Sequence, residues 1–290
     1  MTINDGMRCL RTIEICTPQK IRNQSQAIEY PNLILIKKCP FVVILVNFVQ
    51  LNHVFFSILS NVPLICLNLQ YDNLLNPKKK IVINWKQHKV LLIAPHLDDI
   101  ELGMGGVLNQ MSLFGAEIHY IGLSLPHLVD ETIFMDEFWR SQRHYQIPKD
   151  NYHIFNFNPR DLFSFRSEIL QLFYDFNQQL KPTQVYIPSG TDIHQSHEVV
   201  FQEARRAFKY SSILGYELPW NQFTTHSDFF IELSQDDIDC KKKAIDEFTT
   251  QKQRSFFGND ILIDLARVRG KQVETDYAEC FELIRYVARL

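Results

Sequence analysis

Two short segments of this chain hold the residue types that bind a metal ion and move protons. The first runs Ala94-Pro95-His96-Leu97-Asp98-Asp99-Ile100-Glu101-Leu102-Gly103-Met104-Gly105-Gly106, and the second is Asp192-Ile193-His194-Gln195-Ser196-His197. Zinc takes imidazole nitrogen and carboxylate oxygen at roughly 2.0 to 2.2 Å, and a catalytic zinc typically has three protein ligands and a water whose pKa falls towards about 7. His96 and Asp99, three residues apart on a turn, can converge on one cation, and His197 of the second segment supplies a third ligand. Adjacent side chains project differently, so one of Asp98 and Asp99 can bind metal while the other takes a proton from water. Each segment alone has a plainer explanation. An Asp-Asp pair in a loop is usually solvated, and two histidines at a helix start need no metal. Their joint occurrence points to a metal-dependent hydrolase. A dinucleotide loop is rejected, because Gly103-Met104-Gly105-Gly106 lacks the full glycine fingerprint and follows two carboxylates that would repel a pyrophosphate.

The elements needed to position these residues are legible as alternating periodicities. Val90 to Ala94 is a continuous apolar run of the kind found in strands buried on both faces of a parallel sheet. Ligands of open α/β sheets bind beyond the carboxyl ends of such strands. His96 to Asp99 are therefore expected on a site-forming loop, with Gly103, Gly105 and Gly106 giving a tight path into a helix over 105–114. Further strands are expected at 118–123, 153–157, 184–188 and 229–233, and helices at 131–146, 167–180, 197–209 and 236–251. The pattern predicts a three-layer, Rossmann-like α/β fold with a mostly parallel sheet, both motifs lying at the carboxyl ends of its strands.

The first segment resembles the His-Pro-Asp-Asp-(x)-Glu-x-Gly-x-Gly-Gly signature of the LmbE-like, PIG-L family of zinc-dependent N-acetylglucosaminyl deacetylases. The second is similar to that family's His-x-Asp-His partner. The likeness continues through Ile213 to Trp220, the Lys-rich stretch around Lys241 to Lys243, Ala266 to Gly270 and Tyr277 to Glu282, and covers about residues 86 to 290. It implies His96, Asp99 and His197 as zinc ligands, Asp98 as general base, and His194 as the group that polarises the oxyanion and protonates the leaving amine. It also implies the substrate, an N-acetylated sugar or glycoconjugate. Two positions depart from the pattern: Leu97 replaces a proline, which should loosen the loop without removing a functional group, and Ser196 replaces an aspartate expected to orient the acid histidine. Asp192 is the substitute considered for that aspartate. For the family's substrate-contacting arginine the candidates are Arg140, Arg143, Arg160 and Arg166, since Phe134-Met135-Asp136-Glu137 offers the acid without the arginine. Loops 126–130 and 220–223 are candidates for the rim, with Tyr216 and Trp220 as aromatics able to stack on a sugar.

The chain has 290 residues and a formal net charge of -3, which gives no hint of nucleic-acid binding. Its six cysteines have no CxxC spacing, which favours a reducing compartment and so the cytoplasm. Residues 1 to 80 form a leader outside the resemblance, ahead of the deacetylase-like domain at 86–290. Within it, Pro40 to Tyr71 lacks any Asp, Glu, Lys or Arg. Phe41 to Leu59 is long enough for a membrane-spanning helix but is interrupted by Asn47, Gln50, Asn52, His53 and Ser57. Membrane contact through residues 40–70 is one reading, a poorly packed or disordered extension is a second, and translated upstream sequence outside the natural protein is a third. The alternatives to a sugar deacetylase are a metal amidohydrolase acting on a non-sugar amide and a non-catalytic sugar- or metal-binding homologue. Oligomeric state is not legible.

Overall fold

The structure, a computed structural model, describes residues 83–126, 128–257 and 259–288, together with four strands nearer the N-terminus. The chain divides into two units, Met1–Val82 and Ile83–Leu290. The first contains β1 (Leu33–Ile36), β2 (Val43–Asn47), β3 (His53–Ile58) and β4 (Leu69–Gln70), an antiparallel sheet in that spatial order. The stretch considered as a membrane-spanning helix, Phe41 to Leu59, instead contributes β2 and β3, consistent with its β-branched and aromatic content. Among the described residues, no helix is long and apolar enough to cross a membrane.

The second unit alternates strands and helices. In order these are β5 (Lys89–His96), α1 (Asp99–Leu113), β6 (Glu117–Ser124), α2 (Glu131–Gln142), β7 (Tyr152–Ile154), α3 (Arg166–Leu180) and β8 (Gln184–Pro188). Then follow α4 (Gln195–Ala207), β9 (Ser212–Tyr216), β10 (Phe229–Leu233), α5 (Gln235–Asp246), α6 (Asn259–Gln272) and β11 (Tyr277–Arg285). The seven strands form one sheet in the order β10-β11-β9-β8-β5-β6-β7, parallel from β9 to β7 and antiparallel at the β10-β11 edge. This is the expected α/β fold.

Alternation along the strands separates two cores. On β5, Val90, Leu92 and Ala94 join one apolar cluster with residues of α1, α2, α5 and α6, whereas Leu91 and Ile93 join a second with residues of α3 and α4. A strand buried on both faces has no polar face, which is why Val90 to Ala94 reads as unbroken apolar sequence. Burying each Val, Leu or Ile side chain of this run stabilises the fold by about 1.5–3 kcal/mol.

Helix α1 begins at Asp99, six residues before the position expected from the sequence, and its glycines lie within it rather than in a loop. They permit close packing. A Cβ on Gly103 would stand 2.6 Å from Cδ2 of buried Tyr216, and one on Gly106 would stand 2.6 Å from Cδ1 of Leu233. The helix is broken at Met104, whose φ of -148° and ψ of 25° leave the helical region. The amides after the break are captured from β11: Glu279 accepts hydrogen bonds from Gly106 N at 3.1 Å and Val107 N at 2.7 Å, and pairs with the buried Lys241 Nζ at 2.7 Å. Removing one member of a buried ion pair typically costs about 3–5 kcal/mol, because the other charge is stranded. Glu279→Gln is therefore expected to lower unfolding free energy by about that amount, and adding Lys241→Met should recover part of it. Urea titration checks this, and a loss below about 1 kcal/mol would show that the break does not depend on the pair.

Candidate active site

The two motifs meet where the order of the strands reverses. Strand β5 is followed in sequence by its neighbour β6 on one side, while β8 pairs with it on the other, so the crevice between β5 and β8 is the switch point at which ligands of such folds bind. The carboxyl end of β5 is held from three sides. Tyr216 Oη donates to Ile93 O at 3.1 Å, Ser124 Oγ donates to Pro95 O at 2.6 Å, and the side chain of Leu97 fills the space that a Cβ on Gly122 would occupy. Leu97 is fully buried, so in place of proline it anchors the turn by packing.

Asp99, in the first turn of α1, turns its Oδ2 back to the strand, accepting from His96 N at 2.8 Å and lying 3.1 Å from His96 Nδ1. His197, in the first turn of α4, brings Nε2 to 3.3 Å from the same oxygen and 3.2 Å from His96 Nδ1. Its other nitrogen, Nδ1, lies 2.7 Å from Asp192 Oδ2 and carries a proton, so Nε2 is the nitrogen that faces the cluster. Three donor atoms thus form a nearly equilateral triangle. His194 stands beside it, with ring centroids 5.0 Å from His96 and 4.6 Å from His197, and a nitrogen of each of the three histidines lies within 4.8 Å of the others.

The electrostatics follow from burial and crowding. Burial opposes ionisation of Asp99, but the facing His197 and His96 imidazoles outweigh it and hold its carboxyl well below the usual range. Burial likewise opposes charge on His197, yet Asp99 and Asp192 push it up to about 10. His194 is pushed down to about 4 by burial and by the neighbouring His197 and His96. Asp98 is raised to about 6 by burial and by Asp99, with Arg254 and His96 pulling the other way. Its Oδ2 is buried, accepts no hydrogen bond among the described residues, and lies 3.9 Å from Arg254 Nη1.

The structure brings His96, Asp98, Asp99, His194 and His197 together, and redirects several other residues. Asp192 serves His197 rather than the ring of His194; its Oδ1 accepts from the His194 backbone N at 2.8 Å. The His194 ring instead accepts from Ser196 N at 3.3 Å through Nδ1, capping α4, which leaves the proton on Nε2. Ser196 Oγ points away, donating to Pro159 O at 2.8 Å. Among the candidate arginines, Arg140 pairs with Asp136 and Glu247, Arg166 pairs with buried Glu203, and Arg143 lines a cavity of about 280 Å³ beside Trp139 and Tyr152. Arg160 joins the second motif by its backbone, its carbonyl accepting from Gln195 Nε2 at 2.9 Å. Among the described residues, the arginine paired with a carboxylate of the two motifs is Arg254, from a turn far along the chain with no motif to mark it. Tyr216 is core, and Trp220 stacks on Phe256 with centroids 4.5 Å apart.

No protein-family model and no curated protein sequence matches the chain. Solved structures do match the second unit's fold. The N,N'-diacetylchitobiose deacetylase of Pyrococcus horikoshii aligns over 71% of this chain and 87% of its own, at 18% identity and a TM-score of 0.54. The teicoplanin deacetylase Orf2, in a zinc-inhibited form, aligns over 67% and 96%, at 16% identity and a TM-score of 0.54. GalB, the 4-carboxy-2-hydroxymuconate hydratase of Pseudomonas putida, aligns over 70% and 99%, at 16% identity and a TM-score of 0.58. The chain shares the fold of these deacetylases, and the same fold carries a hydratase.

Two predictions follow from buried polar groups here. An aspartate at position 196 would set a carboxylate against the Pro159 carbonyl where a hydroxyl now donates. Since an unsatisfied buried acceptor costs about 1–3 kcal/mol and a charged one more, Ser196→Asp should unfold at clearly lower urea. A variant as stable as the parent would exclude this geometry. Glu101 is fully buried, receives one bond from Gln142 Nε2 at 2.6 Å, and is pushed up to about 8 from 4.5 chiefly by burial. Its folded form therefore holds a proton that the unfolded chain releases, so its contribution to stability is fully present below pH 4.5 and is lost as pH rises through 8. Glu101→Gln has no such proton, so its urea midpoint relative to the parent should rise across that interval. A constant difference would contradict the assignment.

Proposed function

We propose that this protein is a metal-dependent hydrolase that removes the N-acetyl group of an N-acetylglucosamine-like sugar or sugar conjugate, releasing acetate and a free amine. The observation that carries the reading is the triangle of His96 Nδ1, Asp99 Oδ2 and His197 Nε2, with edges of 3.1, 3.3 and 3.2 Å. Ligands of a tetrahedral ion at bond lengths of about 2.0 Å stand about 3.3 Å apart. Two imidazoles and one carboxylate suit zinc, and the three atoms face one another at the spacing at which one cation could take all of them. These residues would hold the ion, which when bound acts as a Lewis acid and makes water acidic enough to serve as nucleophile near neutral pH.

The remaining chemistry belongs to the side chains. Asp98, adjacent to the triangle and with a carboxylate oxygen unspent on hydrogen bonds, takes the proton from the attacking water. The Nε2–H of His194 donates to the carbonyl oxygen as it gains negative charge, an orientation fixed by Ser196 N on Nδ1. The C–N bond then breaks as the nitrogen receives the proton that Asp98 took from the water, directly or relayed through His194, which gives its Nε2 proton as it gains that one. Asp192 holds His197 in the tautomer that presents Nε2. The deacetylase neighbours support this reading by fold.

The test is acetate release by the full chain, supplied with zinc, from free, nucleotide-linked and lipid-linked N-acetylglucosamine and from simple non-sugar acetamides. Release from a sugar is expected, falling by about 10²- to 10⁴-fold in Asp98→Asn. Release only from non-sugar amides would make the protein a general metal amidohydrolase. Bound zinc without release would make it a non-catalytic binding homologue.

A further inference from the structure

The cavity of about 280 Å³ noted beside Arg143 has no part in the chemistry derived above. Its walls come from the end of α2, the loop that follows and the start of β7, and they include Trp139, Arg143, Tyr145, Lys149 and Tyr152. None of these belongs to either motif, and β6 lies between β7 and the motif strand β5, so the cavity is a separate feature of the sheet's β7 edge. The loop is held at both ends. Gln146 N donates to Ser112 Oγ of α1 at 2.9 Å, and Asn151 Nδ2 donates to Ile118 O of β6 at 2.8 Å. Gln142, which also lines the cavity, accepts from Tyr152 Oη at 3.2 Å and donates to buried Glu101 at 2.6 Å. Trp139 and Tyr152 meet edge to face, with centroids 5.3 Å apart and an interplanar angle of 74°. The walls are therefore formed in advance, as those of small-molecule sites usually are, and the volume falls near the lower end of the roughly 300–1,000 Å³ such sites span.

The charge of this cavity is one-sided. Two cations line it and no carboxylate does. Neither Arg143 nor Lys149 has an ion pair among the described residues, and Glu247, at the end of α5, is committed to Arg140 and His144. Lys149 instead holds its Nζ over the Trp139 ring, 5.2 Å from the centroid, an exposed contact weak enough to be exchanged for a ligand. A guanidinium offers a planar fork of donors matched to paired anionic oxygens, and an ammonium adds a mobile point charge. Indole and phenol rings offer flat apolar area on which another ring can rest. We propose that this cavity binds a small molecule that joins a flat ring to an anionic group, phosphate or carboxylate, with the ring against Trp139 and Tyr152 and the charge taken by Arg143 and Lys149. The inference is independent of the deacetylase reading, because it uses no residue of the motif crevice.

The experiment measures equilibrium binding to the full chain by calorimetry, with adenosine 5′-monophosphate against adenosine, phenylacetate against phenylacetamide, and inorganic phosphate alone. At least one of the two ring-bearing anions should bind about 10- to 100-fold more tightly than its neutral counterpart and than phosphate, and the pair that shows this identifies the anionic group. The preference should shrink as salt is raised. Arg143 and Lys149 are both exposed, so Arg143→Gln with Lys149→Gln is expected to fold as the parent does and to bring the ratio near one. Trp139 is the one tryptophan of three that lines the cavity, so binding should also change the protein's fluorescence. Trp139→Phe, which keeps a ring, should retain binding to within about tenfold and lose that change. Absence of binding by both ring-bearing anions overturns the proposal, as does phosphate binding as tightly as they do. So does a preference undiminished in the Arg143→Gln, Lys149→Gln protein, or a fluorescence change that survives Trp139→Phe, since either would place the ligand elsewhere.

Discussion

Two imidazole nitrogens and one carboxylate oxygen are pressed together in a nearly dry crevice, and none of the three can satisfy another without a proton or a metal between them. Burying such a set is costly unless something positive occupies the middle. The surrounding structure maintains this arrangement. Asp192 orients His197, the His96 backbone amide fixes Asp99, and Tyr216 of β9 ties the end of β5 across the intervening strand.

The fold was largely readable because the sheet is buried on both faces. Strand β8 falls where its apolar run predicts, and β5, β6 and β10 lie within a residue or two of expectation. Helix ends were less legible. The start of α1 was placed late because its glycines look like loop residues, whereas they are there to admit Tyr216 and Leu233. Strands β9 and β11 and helix α6 were seen only as stretches of family likeness: β9 is a short buried run broken by Gly215, and β11 carries Glu279 and Glu282 among its apolar residues.

In the site, the sequence made the five residues of the two motifs visible, because their types and strand-end positions are local properties. It did not reveal which carboxylate serves which histidine. Asp192 seemed suited to His194 by proximity in the chain, but the turn into α4 aims its side chain at His197. Arg254 was invisible for a different reason. Its place depends on Glu137 holding a turn more than a hundred residues away, a contact that no local pattern records.

The break in α1 also shapes the electric field at the site. A continuous helix would sum the dipoles of its peptides and present the positive end to Asp98 and Asp99. Here the departure at Met104 divides the element, and Glu279 neutralises the positive end of the longer segment, deep in the core. Only the short leading segment still points its amides at the motif. The field felt by the two carboxylates therefore owes less to the helix as a whole than to the short leading segment, the imidazoles and Arg254 around it, and the carboxylates' effect on each other.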